Sequence, residues 1–183
     1  MLLIIFGGGL LLTAIVLKVL WEHTKAETEA AYAALEPLDL GPPPPAPADL
    51  ALEAVACPLE EDDLEVVGES FHTETFLRLA GGDQRATGTM KTLAYLVPEP
   101  LNLHDENAVA VWLEAGPVGY IPRAEAPAWQ RLTLALRRRG QVFSTECHVW
   151  WGPGPEHGDG LFKGSVTLHG CGTPPELEDL DGP

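Results

Sequence analysis

Ala108-Val109-Ala110-Val111-Trp112-Leu113, a turn at Ala115-Gly116-Pro117, then Val118-Gly119-Tyr120-Ile121 decide the fold. Both runs are rich in β-branched and aromatic residues, and turn formers separate them. Together they predict an antiparallel hairpin. Upstream, Thr92–Val97 reads as a strand stopped by Pro98 and Pro100, and Leu64–Gly68 as another. Between those two, Thr73–Ala80 predicts a short helix. Thr73 is placed to cap it, Phe76, Leu77 and Ala80 share a face, and Gly81-Gly82 ends it. Downstream, a helix is expected from about Ala124 to Arg139, with Pro127 in its first turn and Gly140 just past its end. Trp129, Leu132 and Leu136 recur at helical spacing and mark its buried face. Gln141–Trp151 and Leu161–Leu168 read as two final strands. Many short strands, tight turns and one good helix point to a mainly β fold: a small, partly open β-barrel with two helices.

The flanks of this region are different polymers. Met1–Leu17 carries no charge, and with Val19, Leu20 and Trp21 it is long enough, at roughly 1.5 Å per residue, to span a bilayer core of about 30 Å. It is expected to be a transmembrane anchor over 1–21, with Lys18 snorkelling and Trp21 at the interface. A cleaved signal peptide is the alternative. It would need a basic start and a small-residue cleavage site, and Lys18-Val19-Leu20-Trp21-Glu22 stands where that site would be. Lys18 and Lys25 follow the apolar run and no basic residue precedes it, so the positive-inside rule puts the bulk of the chain in the cytoplasm. Residues 22–63 hold eleven acids and one lysine. This stretch includes Gly41-Pro42-Pro43-Pro44-Pro45-Ala46-Pro47, which reads as a polyproline II spacer. A ligand for a proline-binding module is the other reading; a solvated tether is preferred. Residues 173–183 form an acidic tail expected to be disordered. The formal charge of −16 therefore belongs mostly to the linker and tail, so it does not exclude a nucleic-acid partner for the domain at 64–172. Three cysteines are too few for a disulfide scaffold and agree with a reducing compartment.

Three blocks within 64–168 resemble the HIRAN domain. They are Val66-Val67-Gly68-Glu69-Ser70-Phe71; then Leu96-Val97-Pro98-Glu99-Pro100-Leu101-Asn102-Leu103-His104-Asp105-Glu106-Asn107-Ala108-Val109-Ala110-Val111; then Val118-Gly119-Tyr120-Ile121-Pro122-Arg123. Their order and spacing agree with that family, and the following helix fits. The resemblance implies an OB-like barrel that binds single-stranded DNA, with a pocket for a free 3′ end. It also assigns residues. Asp105 would accept a hydrogen bond from a terminal sugar hydroxyl, and Asn102 would fix the loop or touch the nucleotide. His104, Phe71 and His72 stand at positions for stacking on bases, Tyr120 matches the turn, and Arg123 would contact phosphate. This chain departs from the family at Ser70, where DNA-binding members can carry Arg, and at Leu103 and His104, which replace Pro and Tyr. Each lost phosphate contact lowers the salt slope of binding by about one unit.

Structural readings stand beside these. Asn102, Asp105 and Asn107 could simply hold a turn by bonding their own backbone. Phe71 could be core, and Tyr120 either core or site. Arg137-Arg138-Arg139 ends a helix, where cations favour the dipole, or forms a phosphate patch. Trp150-Trp151 reads as core plus rim. Cys147-His148 and His169-x-Cys171 could supply zinc ligands, but adjacent strand residues point to opposite faces, so no metal site is expected. The common hydrolase and metalloprotease motifs are absent from the sequence, and no catalytic residue, enzyme activity or cofactor is expected.

The expected function is thus a nucleic-acid-binding module for single-stranded DNA, with preference for a free 3′ end, tethered to the cytoplasmic membrane face. The alternatives are a membrane-tethered protein–protein interaction module with the same fold, and a metal-dependent nuclease using Asp105 with His72 or His104.

Overall fold

A computed structural model describes residues 18, 21–27, 30, 36–56, 62–153 and 162–175. The chain divides into two compact units, Met1–Glu36 and Pro37–Pro183. In the first, residues 21–27 are helical, with Thr24 Oγ1 donating 3.0 Å to the Trp21 carbonyl and His23 beside Glu27 at i, i+4. The apolar run 1–17 lies outside the described residues. Among the described residues, no helix is long and apolar enough to cross a membrane.

The second unit is a curled seven-stranded sheet with two helices: β1 (Glu53–Ala56), β2 (Leu64–Glu65), α1 (Thr73–Leu79), β3 (Gly88–Pro98), β4 (Val109–Leu113), β5 (Gly116–Tyr120), α2 (Ala126–Arg138), β6 (Gln141–Pro153) and β7 (Phe162–Leu168). The order across the sheet is β2-β7-β6-β3-β4-β5. β3 and β6 form its backbone, paired antiparallel from Gly88↔Trp151 to Leu96↔Phe143. The other edge of β6 is shared, with β1 parallel to its first residues and β7 antiparallel to the rest. The two ends of the sheet meet at an isolated bridge between Val67 and Tyr120. The result is mainly β and partly open, as the hairpin pattern implies.

The core is continuous from sheet to helices. Trp129, Leu132 and Leu136, the face read from the sequence, are buried along α2, and Trp129 packs edge-on against Phe143 of β6 at 5.1 Å between centroids. That T-shaped contact suits the ring quadrupoles. Phe76 of α1 is fully buried over β7, in space left by Gly164, whose Cβ would collide with its ring.

Several boundaries differ from the sequence reading, each for a physical reason. Thr73 is the first helical residue rather than the cap: His72 holds the cap position without a side-chain bond, and Thr73 Oγ1 donates back to Ser70 O. The hairpin turns at Glu114-Ala115, so Gly116 and Pro117 belong to β5. Pro117 is tolerated there because it faces Trp112 beside a register shift, on a strand that lies at the end of the sheet path. β3 begins at Gly88 rather than Thr92, since β6 is long enough to pair with it.

The larger difference lies in residues 37–56, read as tether. They are a strap lying on the barrel. Arg78 of α1 donates to the carbonyls of Gly41 (2.7 Å), Leu40 (2.7 Å) and Pro42 (3.0 Å), while Glu74 pairs with the same guanidinium. Leu38 N donates 2.9 Å to Gly82 O. Beyond the prolines, a 3₁₀ turn (Ala48–Ala51) leads into β1. Each backbone carbonyl has two lone pairs to offer, so three successive carbonyls at the entry to the proline run serve one arginine fork. The compact unit thus begins at Pro37, where the sequence reading places the domain start at 64. Of the expected tail, Thr173–Pro175 lie beside Ala128, Leu132 and Ala135 of α2, and the rest lies outside the described residues.

Candidate nucleic-acid interface

The site is built where the sheet closes on itself. Gly68 adopts a left-handed backbone (φ 82°), and a 3₁₀ turn over Glu69–Phe71 follows it, held by Phe71 N donating 3.0 Å to Gly68 O. A Cβ at Gly68 would be strained there. This turn reverses the chain and turns Phe71 outward, leaving it 87% exposed. The next residue, His72, turns the other way and tilts its ring against Tyr120 at 5.7 Å and 48°. Burial lowers the His72 pKa from its ordinary 6.5, against the Glu99 charge, which raises it. Its Nε2 is buried with no hydrogen-bond partner among the described residues.

The opposite wall is the loop between β3 and β4. Its backbone is held at both ends, by Glu99 N to Ala108 O (2.9 Å) and Ala108 N to Asp105 O (3.0 Å). Asn102 organises the middle. Its Nδ2 donates 2.8 Å to Glu99 Oε2, and its Oδ1 accepts the amides of His104 (2.9 Å) and Asp105 (3.3 Å). Asp105 Oδ1 accepts the Asn107 amide at 2.9 Å, and its Oδ2 lies 3.5 Å from Arg123 Nε. Tyr120 is half-buried beside this loop; burial first, then the Glu99 charge, pushes its phenol pKa up from 10.0. Gln130 of α2 ties the loop down through the Glu106 carbonyl.

All seven residues singled out from the sequence, Phe71, His72, Asn102, His104, Asp105, Tyr120 and Arg123, line one cleft of about 550 Å³ with Val67, Gly68, Ala108 and Ile121. Its lining is mostly apolar. Asn102 does hold the turn, as the structural reading has it, and both ends of its amide are used in doing so. Asp105 does both: one oxygen holds the turn and the other faces Arg123. Glu106 is absent from the cleft lining and stands in the adjoining hollow, which Asp105, His104 and Arg123 also line, so Asp105 sits between the two. Phe71 is outside the core, and Tyr120 is half-buried.

Glu99 is the residue that sequence reasoning missed. Its spacing of three from Asn102, between two prolines that limit the backbone, is the signal that was available. Of the Arg137-Arg138-Arg139 run, Arg137 is engaged with Asp49 and with Pro98 O, while Arg138 and Arg139 are exposed. Cys147 is buried, with its thiol pKa pushed up to about 11 by burial, while neighbouring His148 faces outward to Thr89, as strand alternation requires. Among the described residues, no group of three or more His, Cys, Asp or Glu side chains could hold a metal ion.

The partly open barrel and this cleft give the class of protein as far as the fold shows it. Comparison of the chain with protein-family models, with curated proteins and with solved structures gives no match.

Proposed function

We propose that the cleft binds the 3′ end of single-stranded DNA. The observation that carries the reading is the convergence of Phe71, His72, Tyr120, Asp105 and Arg123 on one cavity of a size suited to a small ligand such as a terminal nucleotide. An exposed Phe71 offers a platform on which a base stacks; such contacts contribute about 1–3 kcal/mol per base. Asp105 is acceptor-only when ionised, so it takes a hydrogen bond from a terminal sugar hydroxyl. A terminal phosphate at the same place meets the charges of Asp105 and Glu99 and is repelled. Arg123, 84% exposed, is placed to reach a backbone phosphate. One arginine at the cleft, with Ser70 where related sequences can carry Arg, means a shallow salt dependence: about 0.7 in slope per phosphate contacted. The resemblance of the loop block to HIRAN domains supports the same reading, as does the apolar run 1–17 for a tether at the cytoplasmic membrane face.

The test is a titration with short single-stranded DNA. Asp105→Ala and Phe71→Ala each weaken binding while the circular-dichroism spectrum stays as in the wild type; affinity unchanged in both removes the proposed pocket. A second reading, a protein-interaction module, draws on Leu101 and Leu103, which are 92% and 97% exposed on the same loop. It is favoured if the wild type ignores nucleic acid and Leu101→Ser/Leu103→Ser abolishes capture of one protein partner.

A further inference from the structure

Arg137 stands between the strap and the cleft. It lies in the last turn of α2, and its guanidinium engages two elements at once. Nε pairs with Asp49, in the 3₁₀ turn of the strap, and Nη2 donates 2.9 Å to the carbonyl of Pro98. Pro98 ends β3 and directly precedes Glu99. Glu99 then accepts from Asn102 Nδ2, and Asn102 Oδ1 holds the amides of His104 and Asp105. A path of hydrogen bonds, with the Pro98–Glu99 peptide as one link, therefore runs from the strap carboxylate to the residues that line the cleft.

The contact is partly shielded, with Asp49 14% and Arg137 34% exposed. A planar guanidinium donates in fixed directions, so the carboxylate that orients Nε also fixes Nη2 on Pro98 O. Without Asp49, the guanidinium is free to turn toward water, and the start of the loop loses its anchor. We infer that Arg137 is a positioning residue for the cleft: it sets the Glu99–Ala108 loop according to whether the strap is seated. Seating of the strap and ordering of the cleft form one coupled equilibrium, and the coupling is reciprocal. A ligand in the cleft tightens the strap, and a pull on the strap from its N-terminal side loosens the cleft. The coupling itself rests on geometry alone; only its consequence for DNA rests on the function proposed above.

The test is hydrogen exchange of the full chain in nonionic detergent, comparing wild type, Asp49→Asn, Arg137→Lys, the double variant and Arg78→Ala. Asp49→Asn raises exchange across 99–108 by about fivefold or more and leaves the β3–β6 ladder as it was. Arg137→Lys keeps the charge, loses the fork and behaves the same, and the double variant adds little to either. Arg78→Ala loosens the strap at 38–42 and leaves the loop unchanged, because Asp49 and Arg137 still meet. Exchange confined to the strap in Asp49→Asn overturns the inference. So does equal opening of the loop by Arg78→Ala, which would mean general loosening. If the wild type binds DNA, the affinity of Asp49→Asn falls by a similar factor; if it does not, the proposed function fails while the exchange data still decide the coupling.

Discussion

Val67 and Tyr120 exchange both backbone hydrogen bonds, 2.9 Å from Val67 N and 2.8 Å from Tyr120 N, and in doing so join the two ends of the sheet. Tyr120 also places its ring in the cleft against His72. The seam of the curled sheet and the candidate site are therefore one place, and what weakens the first disturbs the second.

Gly119 makes that seam possible. Its backbone has φ +155°, and an added Cβ would lie 2.5 Å from Val66 Cγ1 and 2.6 Å from the Val67 carbonyl oxygen. Backbone atoms cannot swing aside, so Gly119→Ala is expected to cost about 2–4 kcal/mol. Urea unfolding checks the magnitude, and faster exchange of the Val67 and Tyr120 amides checks the location.

Phe71 and Phe76 separate function from stability. Phe76 is fully buried and Phe71 is 87% exposed, although both belong to the same short stretch. Phe76→Ala is expected to destabilise by about 3–5 kcal/mol. Phe71→Ala should stay within about 0.5 kcal/mol in stability while losing affinity for single-stranded DNA. Unfolding midpoints and DNA titrations on both variants give the two readouts.

Stability should fall on mild acidification because of His72. Its folded pKa is lowered from 6.5 by burial, so just below 6.5 the unfolded chain takes up a proton that the folded chain does not. Stability from this group is full above 6.5 and is lost as pH falls from there toward the lowered folded value. Asp63 and Asp83, whose pKa values lie below 3.8, act only in more acid solution, where stability is lost as pH falls through their folded values. Urea midpoints compared between about pH 5 and pH 8 should show the His72 slope in the wild type and lose it in His72→Gln.

Cys147 should be chemically silent in the native protein. A thiol whose pKa is pushed up to about 11 carries almost no thiolate at neutral pH, and this one is fully buried. Alkylation followed by peptide mapping should show Cys147 modified only after denaturant is added.

The hairpin at 108–121 and the buried face of α2 were legible because period and turn chemistry are local signals. Trp129, Leu132 and Leu136 needed only their spacing. The strap was not legible. Acidic, proline-rich sequence reads as a tether because its docking depends on Arg78 and Arg137, which are distant in the chain and supply what the strap itself lacks. Phe71 was ambiguous for a related reason. Its side chain is turned outward by the left-handed Gly68 and the 3₁₀ turn, and no hydrophobic period records that. At the site, the residue types and order were readable, and the structure brings them together. Glu99 was missed because a lone carboxylate between prolines looks like loop solvation until its partner Asn102 is seen.

The central claim, that the cleft accepts a free 3′ hydroxyl, is tested most directly by fluorescence anisotropy with one short single strand ending in either a 3′ hydroxyl or a 3′ phosphate. Tighter binding to the hydroxyl end, with the difference lost in Asp105→Asn, is the expected result. Equal affinity for the two ends, or binding that vanishes in moderate salt for both, would contradict it.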